Sequence, residues 1–290
     1  MEPLIVIVGF LGSGKTTLLK SLVKNYLERD WNPFIILNDY QNANLDIQHF
    51  TQLIDKKNLS PLSGSCICCS GVQQLRETVN DIPHREKGIT FIEANGTTDA
   101  CTLLGFLSVG IKENFLPPVQ VSIVDTRHWQ KRGIHNELEA NQIQASSLIL
   151  LNYTDHVSKE RLEEVKTEIR FKNPAAKITV WNKDEVLPEL RTQSYNPQNM
   201  DHLKTHWSSV SKNLPDPMKS HSLQLMLQSI PSSVLRVKGC TRIDGDKDYT
   251  FFERLPGGEI IKRPYYGELV SGAQVILIGP GCSDRNLRIE

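Results

Sequence analysis

The chain has 290 residues, room for one large domain and one small one. Its 39% hydrophobic and 23% charged residues are those of a globular chain able to bury a full core. Lys and Arg number 33 and Asp and Glu number 33, so the formal net charge is zero and no one-signed field favours nucleic acid or an anionic membrane. Neither partner is expected. No apolar run approaches the roughly 20 residues that span a bilayer. The stretch from Met1 to Val8 runs into a strand pattern without the basic start and cleavage site of a signal peptide. Of the six cysteines, Cys66, Cys68 and Cys69 are clustered, while Cys101, Cys240 and Cys282 are scattered. That usage fits a reducing compartment, by default the cytoplasm, and a metal or redox site better than a disulfide framework.

In chain order, Leu4 to Val8 is a continuous apolar run, as expected of a buried parallel strand. Gly9-Phe10-Leu11-Gly12-Ser13-Gly14-Lys15-Thr16 follows, then a helical pattern from Thr17 to Val23. This is the P-loop spacing in its strand–loop–helix setting. Glycines let backbone N–H groups turn inward around phosphate oxygens, and the helix N-terminus adds partial positive charge. Gly12, Ser13, Gly14, Lys15, Thr16 and Thr17 are the candidate nucleotide-binding residues. Lys15 is expected to reach the β- and γ-phosphates as a catalytic cation, and Thr16 to hold Mg²⁺.

A second apolar strand, Phe34 to Leu37, ends in a polar stretch from Asn38 to Asp46. Loops at the C-terminal ends of such strands line ligand crevices. Asp39 and Asp46 are candidates to approach Mg²⁺ or orient a water, with Asp39 the catalytic choice; a turn or cap role suits each equally. Next comes Ser63-Gly64-Ser65-Cys66-Ile67-Cys68-Cys69-Ser70-Gly71, followed by helical spacing of Val72, Leu75 and Val79. Thiolates favour soft or borderline ions, and Zn²⁺ suits three thiolates plus one further ligand. The run is too short to be half of a zinc finger. Three ligands from one loop leave a position open to exchange, which suits transfer better than structure. Buried small hydrophobes or a redox switch are the competing readings.

The strand Ile89 to Ile92 ends in Glu93-Ala94-Asn95-Gly96. An acid followed after two residues by Gly, at a strand end in a P-loop protein, is where a γ-phosphate sensor sits. Gly96 N–H is the candidate sensor and Glu93 the candidate holder of Mg²⁺ or its water shell. Asp99 caps the apolar helix of Leu103, Leu104, Phe106 and Leu107, or belongs to the same site. Strands from Val119 to Asp125 and from Ser147 to Leu151 follow, the latter running into Asn152-Tyr153-Thr154-Asp155. Asn-x-x-Asp after a strand is a guanine reader: Asn152 bonds the base edge, and Asp155 accepts from N1–H and the 2-amino group, which adenine cannot match. Tyr153 stands where Lys is usual and can cover a base face by stacking. In the competing reading, Thr154-Asp155 merely opens the helix from Ser158 to Arg170.

Ile178 to Trp181 reads as the last strand of the first domain. From about Tyr195 to Ser222 apolar periodicity fades. A helix from Ser222 to Ile230 and four or so strands then suggest a small α+β domain. The expected organisation is therefore 1–194 as an α/β P-loop domain with a mostly parallel sheet flanked by helices, 195–221 as a linker, and 222–290 as the α+β domain.

These motifs resemble the CobW-like metallochaperone GTPases, relatives of the GTPases that mature urease and hydrogenase. The P-loop through Leu19, Cys66-Ile67-Cys68-Cys69, Glu93-x-x-Gly96 with Asp99, Val124-Asp125 and Arg236-x-Lys238-Gly239 all match, over nearly the whole chain. The resemblance implies GTP binding and hydrolysis, with Mg²⁺, that gate loading or release of Zn²⁺ or Co²⁺ at Cys66, Cys68 and Cys69. It implies a client metalloprotein as partner; a homo-oligomer is left open. The family's Asn-Glu-Phe-Gly-Glu switch segment here reads Asn38-Asp39-Tyr40-Gln41-Asn42. One carboxylate is shortened and the other is an amide, which points to slow hydrolysis or a different ion preference. A P-loop ATPase or kinase with structural cysteines, and a non-hydrolysing nucleotide-gated metal sensor or adaptor, compete with the GTPase reading.

Overall fold

Leu4–Val8 (β1), Asn32–Asn38 (β2), Leu59–Leu62 (β3), Gly88–Glu93 (β4), Val119–Asp125 (β5), Ser146–Asn152 (β6) and Lys177–Val180 (β7) form one sheet in the order β3-β2-β4-β1-β5-β6-β7. Every adjacent pair is parallel. The computed structural model describes residues 1–38, 50–62, 72–188, 208–231, 234, 236–254, 258–265 and 272–279. The chain divides into two units, Met1–Thr205 and His206–Glu290.

Side-chain alternation explains why β1 is apolar at every position. Leu4, Val6 and Val8 point to one face, where they meet Leu75 and Val79 of helix α2 (Val72–Asp81) and Leu103, Leu104 and Leu107 of α3 (Ala100–Leu107). Ile5 and Ile7 point to the other, against Leu18, Leu19, Leu22 and Val23 of α1 (Lys15–Leu27). A sheet covered on both faces needs such strands. Farther along, Trp129, Ile149 and Leu151 pack against Val165 and Ile169 of α5 (Lys159–Lys172). The stretch after β7 returns over α1. There Asn25 Nδ2 donates to the carbonyls of Lys183 at 2.8 Å and Glu185 at 2.9 Å. Because all strands run the same way, their C-terminal ends share one edge, and the described loops after β1, β4, β5 and β6 lie there, with Lys15, Gly96, Arg127 and Asn152 in or beside them.

Two elements of this unit are absent from the sequence reading. Strand β3 is a four-residue edge strand containing Pro61, a residue that only an edge or a strand start tolerates. Helix α4 (Asn136–Gln144) buries Glu139, Asn141 and Gln142 along with Leu138, Ala140 and Ile143, so it carries no amphipathic stripe.

Among its described residues the second unit is an antiparallel five-stranded sheet with one helix. Ser208–Asn213 (β8), Arg236–Arg242 (β9), Tyr249–Arg254 (β10), Ile260–Tyr265 (β11) and Gln274–Gly279 (β12) lie in the order β11-β10-β9-β12-β8. Leu223, Met226 and Leu227 of α6 (Ser220–Ser229) pack on Val237, Phe252, Val275 and Leu277. The linker expected over 195–221 is corrected at its C-terminal part. Residues 208–213 form β8, and the division between units falls at Thr205–His206. Ser-Ser-Val-Ser-Lys-Asn has one apolar residue, so its strand character comes from pairing with β12 at the sheet edge, not from its own pattern.

Candidate functional site

The loop after β1 turns through Gly12 at φ +78° and Gly14 at φ +106°, then enters α1 at Lys15. A Cβ on Gly14 would lie 2.5 Å from Asn152 Nδ2, so both φ and space demand glycine. The start of α1 has no side-chain cap and no acidic residue in its first turn. The N–H groups of its first turn therefore suit an anion. The Lys15 side chain curls back over the loop, donating from Nζ to the carbonyls of Gly9 at 2.9 Å and Phe10 at 3.2 Å. Ser13 is buried, and among the described residues its Oγ has no hydrogen-bond partner. Thr17 is exposed. A turn of backbone donors, a buried lysine and an unsatisfied hydroxyl fit a polyphosphate.

Strands β1 and β4 pair with Ile7 opposite Glu93, which sets Glu93 beside the loop. Thr16 Oγ1 donates to Glu93 Oε1 at 2.7 Å. A hydroxyl and a carboxylate so placed are hard oxygen donors of the kind Mg²⁺ takes. Gly96 abuts the P-loop: a Cβ there would lie 2.8 Å from Leu11 N. Gln142 of α4 holds this segment, donating from Nε2 to the carbonyls of Gly96 at 3.0 Å and Thr98 at 3.2 Å. Asp99 accepts from Thr102 N at 3.1 Å and Thr102 Oγ1 at 2.8 Å, so it caps α3.

Strands β5 and β6 bring Asp125 opposite Asn152. The Asn152 amide spans two loops. Its Nδ2 donates to Ser13 O at 2.9 Å, and its Oδ1 accepts from Tyr153 N at 2.8 Å. Tyr153 has φ +60°, and its hydroxyl reaches Gly12 O at 3.5 Å. Its ring carries the Arg127 guanidinium at 3.6 Å from the centroid, so one face of the ring expected to stack on a base is taken by a cation. Arg127 is fixed in turn by Asp125, donating from Nε and Nη2 to the two carboxylate oxygens at 3.0 Å each. His128 Nδ1 lies 3.0 Å from Asp125 Oδ2. Burial works against the ionised Asp125, but the hydrogen bonds from Arg127 and His128 outweigh it and hold the carboxyl below the usual range. Asp155 is exposed in the turn Thr154–His156. The helix that follows is capped by Ser158, whose Oγ accepts from Arg161 N at 3.2 Å. Asp155 is therefore not the residue that opens α5.

Behind the loop, the Arg132 guanidinium sits 4.3 Å from the Phe10 ring centroid and donates to Glu139 Oε1 at 2.8 Å. Arg127, Arg132 and Gln142 carry no sequence signal of their own; only the tertiary structure brings them to the loop. Asp39, Cys66, Cys68 and Cys69 lie outside the described residues. Cys101 and Cys240 are buried thiols whose pKa burial pushes up to about 12, so both stay protonated and make poor metal ligands. Among the described residues no group of three or more His, Cys, Asp or Glu is placed to hold a metal. No helix among them is long and apolar enough to cross a membrane.

A parallel α/β sheet with a P-loop at its central strand, a Thr–Glu pair beside it and an Asn-x-x-Asp turn on the next loop define a P-loop nucleotide-binding domain. The nucleotide-binding domain of the CobW/HypB/UreG family matches residues 3–180, and the chain belongs to that family. It is 25% identical over 280 residues to the zinc chaperone YjiA of Escherichia coli, covering 87% of this chain and 86% of that protein. It is 26% identical over 215 residues to the zinc-regulated GTPase metalloprotein activator 1 of Dictyostelium discoideum, covering 61% of this chain and 45% of that protein. Among solved structures, Zn(II)-bound YjiA GTPase from E. coli aligns over 98% of this chain and 96% of that chain, with 17% identity and a TM-score of 0.40.

Proposed function

We propose that the protein is a GTP-hydrolysing metallochaperone that couples nucleotide state to the holding and delivery of Zn²⁺ or Co²⁺ at Cys66, Cys68 and Cys69. The observation that carries this reading is the gathering, around one P-loop, of Lys15, the Thr16–Glu93 pair and the Asn152-Tyr153-Thr154-Asp155 turn. Lys15 leaves its loop carbonyls for the β- and γ-phosphates. Thr16 and Glu93 are the residues that would hold Mg²⁺, which when bound would supply positive charge to the transferring phosphoryl group. Gly96 N–H meets the γ-phosphate, and Asp39 is the candidate to orient the attacking water. Asn152 positions the base loop on the P-loop, and Asp155 accepts from the guanine edge. The names of the relatives, a zinc chaperone and a zinc-regulated GTPase, support zinc as the cargo.

Two experiments test this reading. Asp155→Asn exchanges one acceptor for a donor, so guanine nucleotide affinity falls by about a hundredfold and xanthine nucleotides, with an oxygen at C2, gain. Competition binding of guanine, xanthine and adenine nucleotides checks it; adenine binding as tight as guanine in the wild type would remove the GTPase assignment. For the cargo, Cys66→Ser/Cys68→Ser/Cys69→Ser is expected to lose the zinc that the wild type retains through chelator dialysis, read by elemental analysis. Equal zinc in both would place the metal elsewhere.

A further inference from the structure

The loop after β4 contains an amide with one end committed and the other unmatched. Asn95 is buried, at 7% exposure. Its Oδ1 accepts from Thr97 N at 3.2 Å and lies 3.3 Å from Thr97 Oγ1. A backbone N–H can only donate, so this contact fixes which end of the amide is oxygen and which is nitrogen. Nδ2 is then the remaining end, and among the described residues it has no hydrogen-bond partner. A buried donor of this kind costs stability unless something accepts from it.

The strand's alternation indicates which face that donor serves. Ile89 and Phe91 pack on the α1 side with Leu18 and Leu19, and Glu93, next in the same row, bonds Thr16 at the start of α1. Ile92 and Ala94 face the opposite cluster. The ladder runs on to Ala94, whose N–H donates to Ile7 O at 2.9 Å. Asn95 is two residues beyond Glu93, the register position that extends the Phe91–Glu93 row on the side of the P-loop helix. The next residue, Gly96, is pressed against Leu11 of that loop.

We infer that Asn95 is a second γ-phosphate contact, donating from Nδ2 to the terminal phosphate of bound GTP next to the N–H of Gly96. This rests on the reading of the P-loop as a GTP site. The side chain discriminates triphosphate from diphosphate, since GDP presents no oxygen at that position. Its neighbour's carbonyl is already clamped by Gln142 at 3.0 Å, so the donor is held on a fixed backbone.

The test compares affinities for a non-hydrolysable GTP analogue and for GDP, both with Mg²⁺, in wild type, Asn95→Asp and Asn95→Ala. Asn95→Asp keeps the oxygen that Thr97 requires and replaces the donor by a second acceptor. The expected result is a loss of analogue affinity of about tenfold to a hundredfold, with GDP affinity within about twofold of wild type. Asn95→Ala shows the same selective loss, and its retained GDP binding reports an intact fold. An unchanged ratio of the two affinities, or an equal fall in both, assigns Asn95 to the turn alone and overturns the inference. A wild type that binds neither nucleotide removes the GTP-site reading and this contact with it, whereas a wild type that binds both beside unaffected variants removes only the contact.

Discussion

Lys15→Ala is expected to weaken GTP and GDP binding by about thirtyfold or more while leaving the unfolding transition near that of wild type. Lys15 is 5% exposed, and its ammonium is held by two loop carbonyls. In the proposed nucleotide complex the same ammonium meets phosphate oxygens instead of those carbonyls. Truncating one partner of a buried, hydrogen-bonded charge pair costs roughly 2–5 kcal/mol, much of it from the charge left unmatched, which is a factor of about 30 to several thousand in affinity. The free protein loses less, because it exchanges two carbonyl hydrogen bonds for the end of a costly cation burial. Titration of both nucleotides by calorimetry, beside thermal unfolding, separates the two effects. Wild-type affinity in the variant would contradict the assigned role of the P-loop.

The second large effect lies away from the site. Glu2, Arg85 and Thr90 form a buried group: Arg85 Nη2 pairs with Glu2 Oε1 and donates to Thr90 Oγ1 at 2.9 Å, and Thr90 Oγ1 also donates to Glu2 Oε1. The paired side chains are 6% and 2% exposed. Burial lowers the Arg85 pKa and the Glu2 charge only partly offsets it, so the guanidinium depends on that carboxylate. Glu2→Ala is expected to destabilise the first unit by about 3–5 kcal/mol, because it leaves a buried cation uncompensated. For a unit of this size that lowers Tm by roughly 6–20 °C. Glu2→Ala/Arg85→Leu should recover much of the loss, since two apolar replacements leave no orphaned charge. If the double variant is no more stable than the single one, the loss comes from packing and the ion pair is not its cause.

Much of the first unit was legible because its strands are buried on both faces. Leu4 to Val8 and Val119 to Asp125 are apolar or uncharged at nearly every position, a pattern that needs helices above and below. Strands β3 and β8 were not legible. Both lie at sheet edges, and sequences such as Leu-Ser-Pro-Leu and Ser-Ser-Val-Ser-Lys-Asn become strands only through a partner. Helix α4 was hidden because its buried side chains include Glu139, Asn141 and Gln142, whose partners come from other loops. The site divides the same way. Gly14, Lys15, Thr16 and Glu93 follow from spacing and strand position. The Arg127 cation on Tyr153, and the Asn95 amide end that has no partner among the described residues, depend on tertiary structure that no local pattern encodes.

The central claim is that the nucleotide site and the cysteines share one free-energy coupling. Linkage makes it reciprocal: whatever GTP does to zinc affinity, zinc does to GTP affinity. The most direct measurement is a competitive zinc titration of the wild-type chain with Mg²⁺ and either the non-hydrolysable GTP analogue or GDP. The account predicts zinc affinities that differ by about fivefold or more between the two nucleotides, and a difference that vanishes in Cys66→Ser/Cys68→Ser/Cys69→Ser. The same zinc affinity with either nucleotide would contradict it.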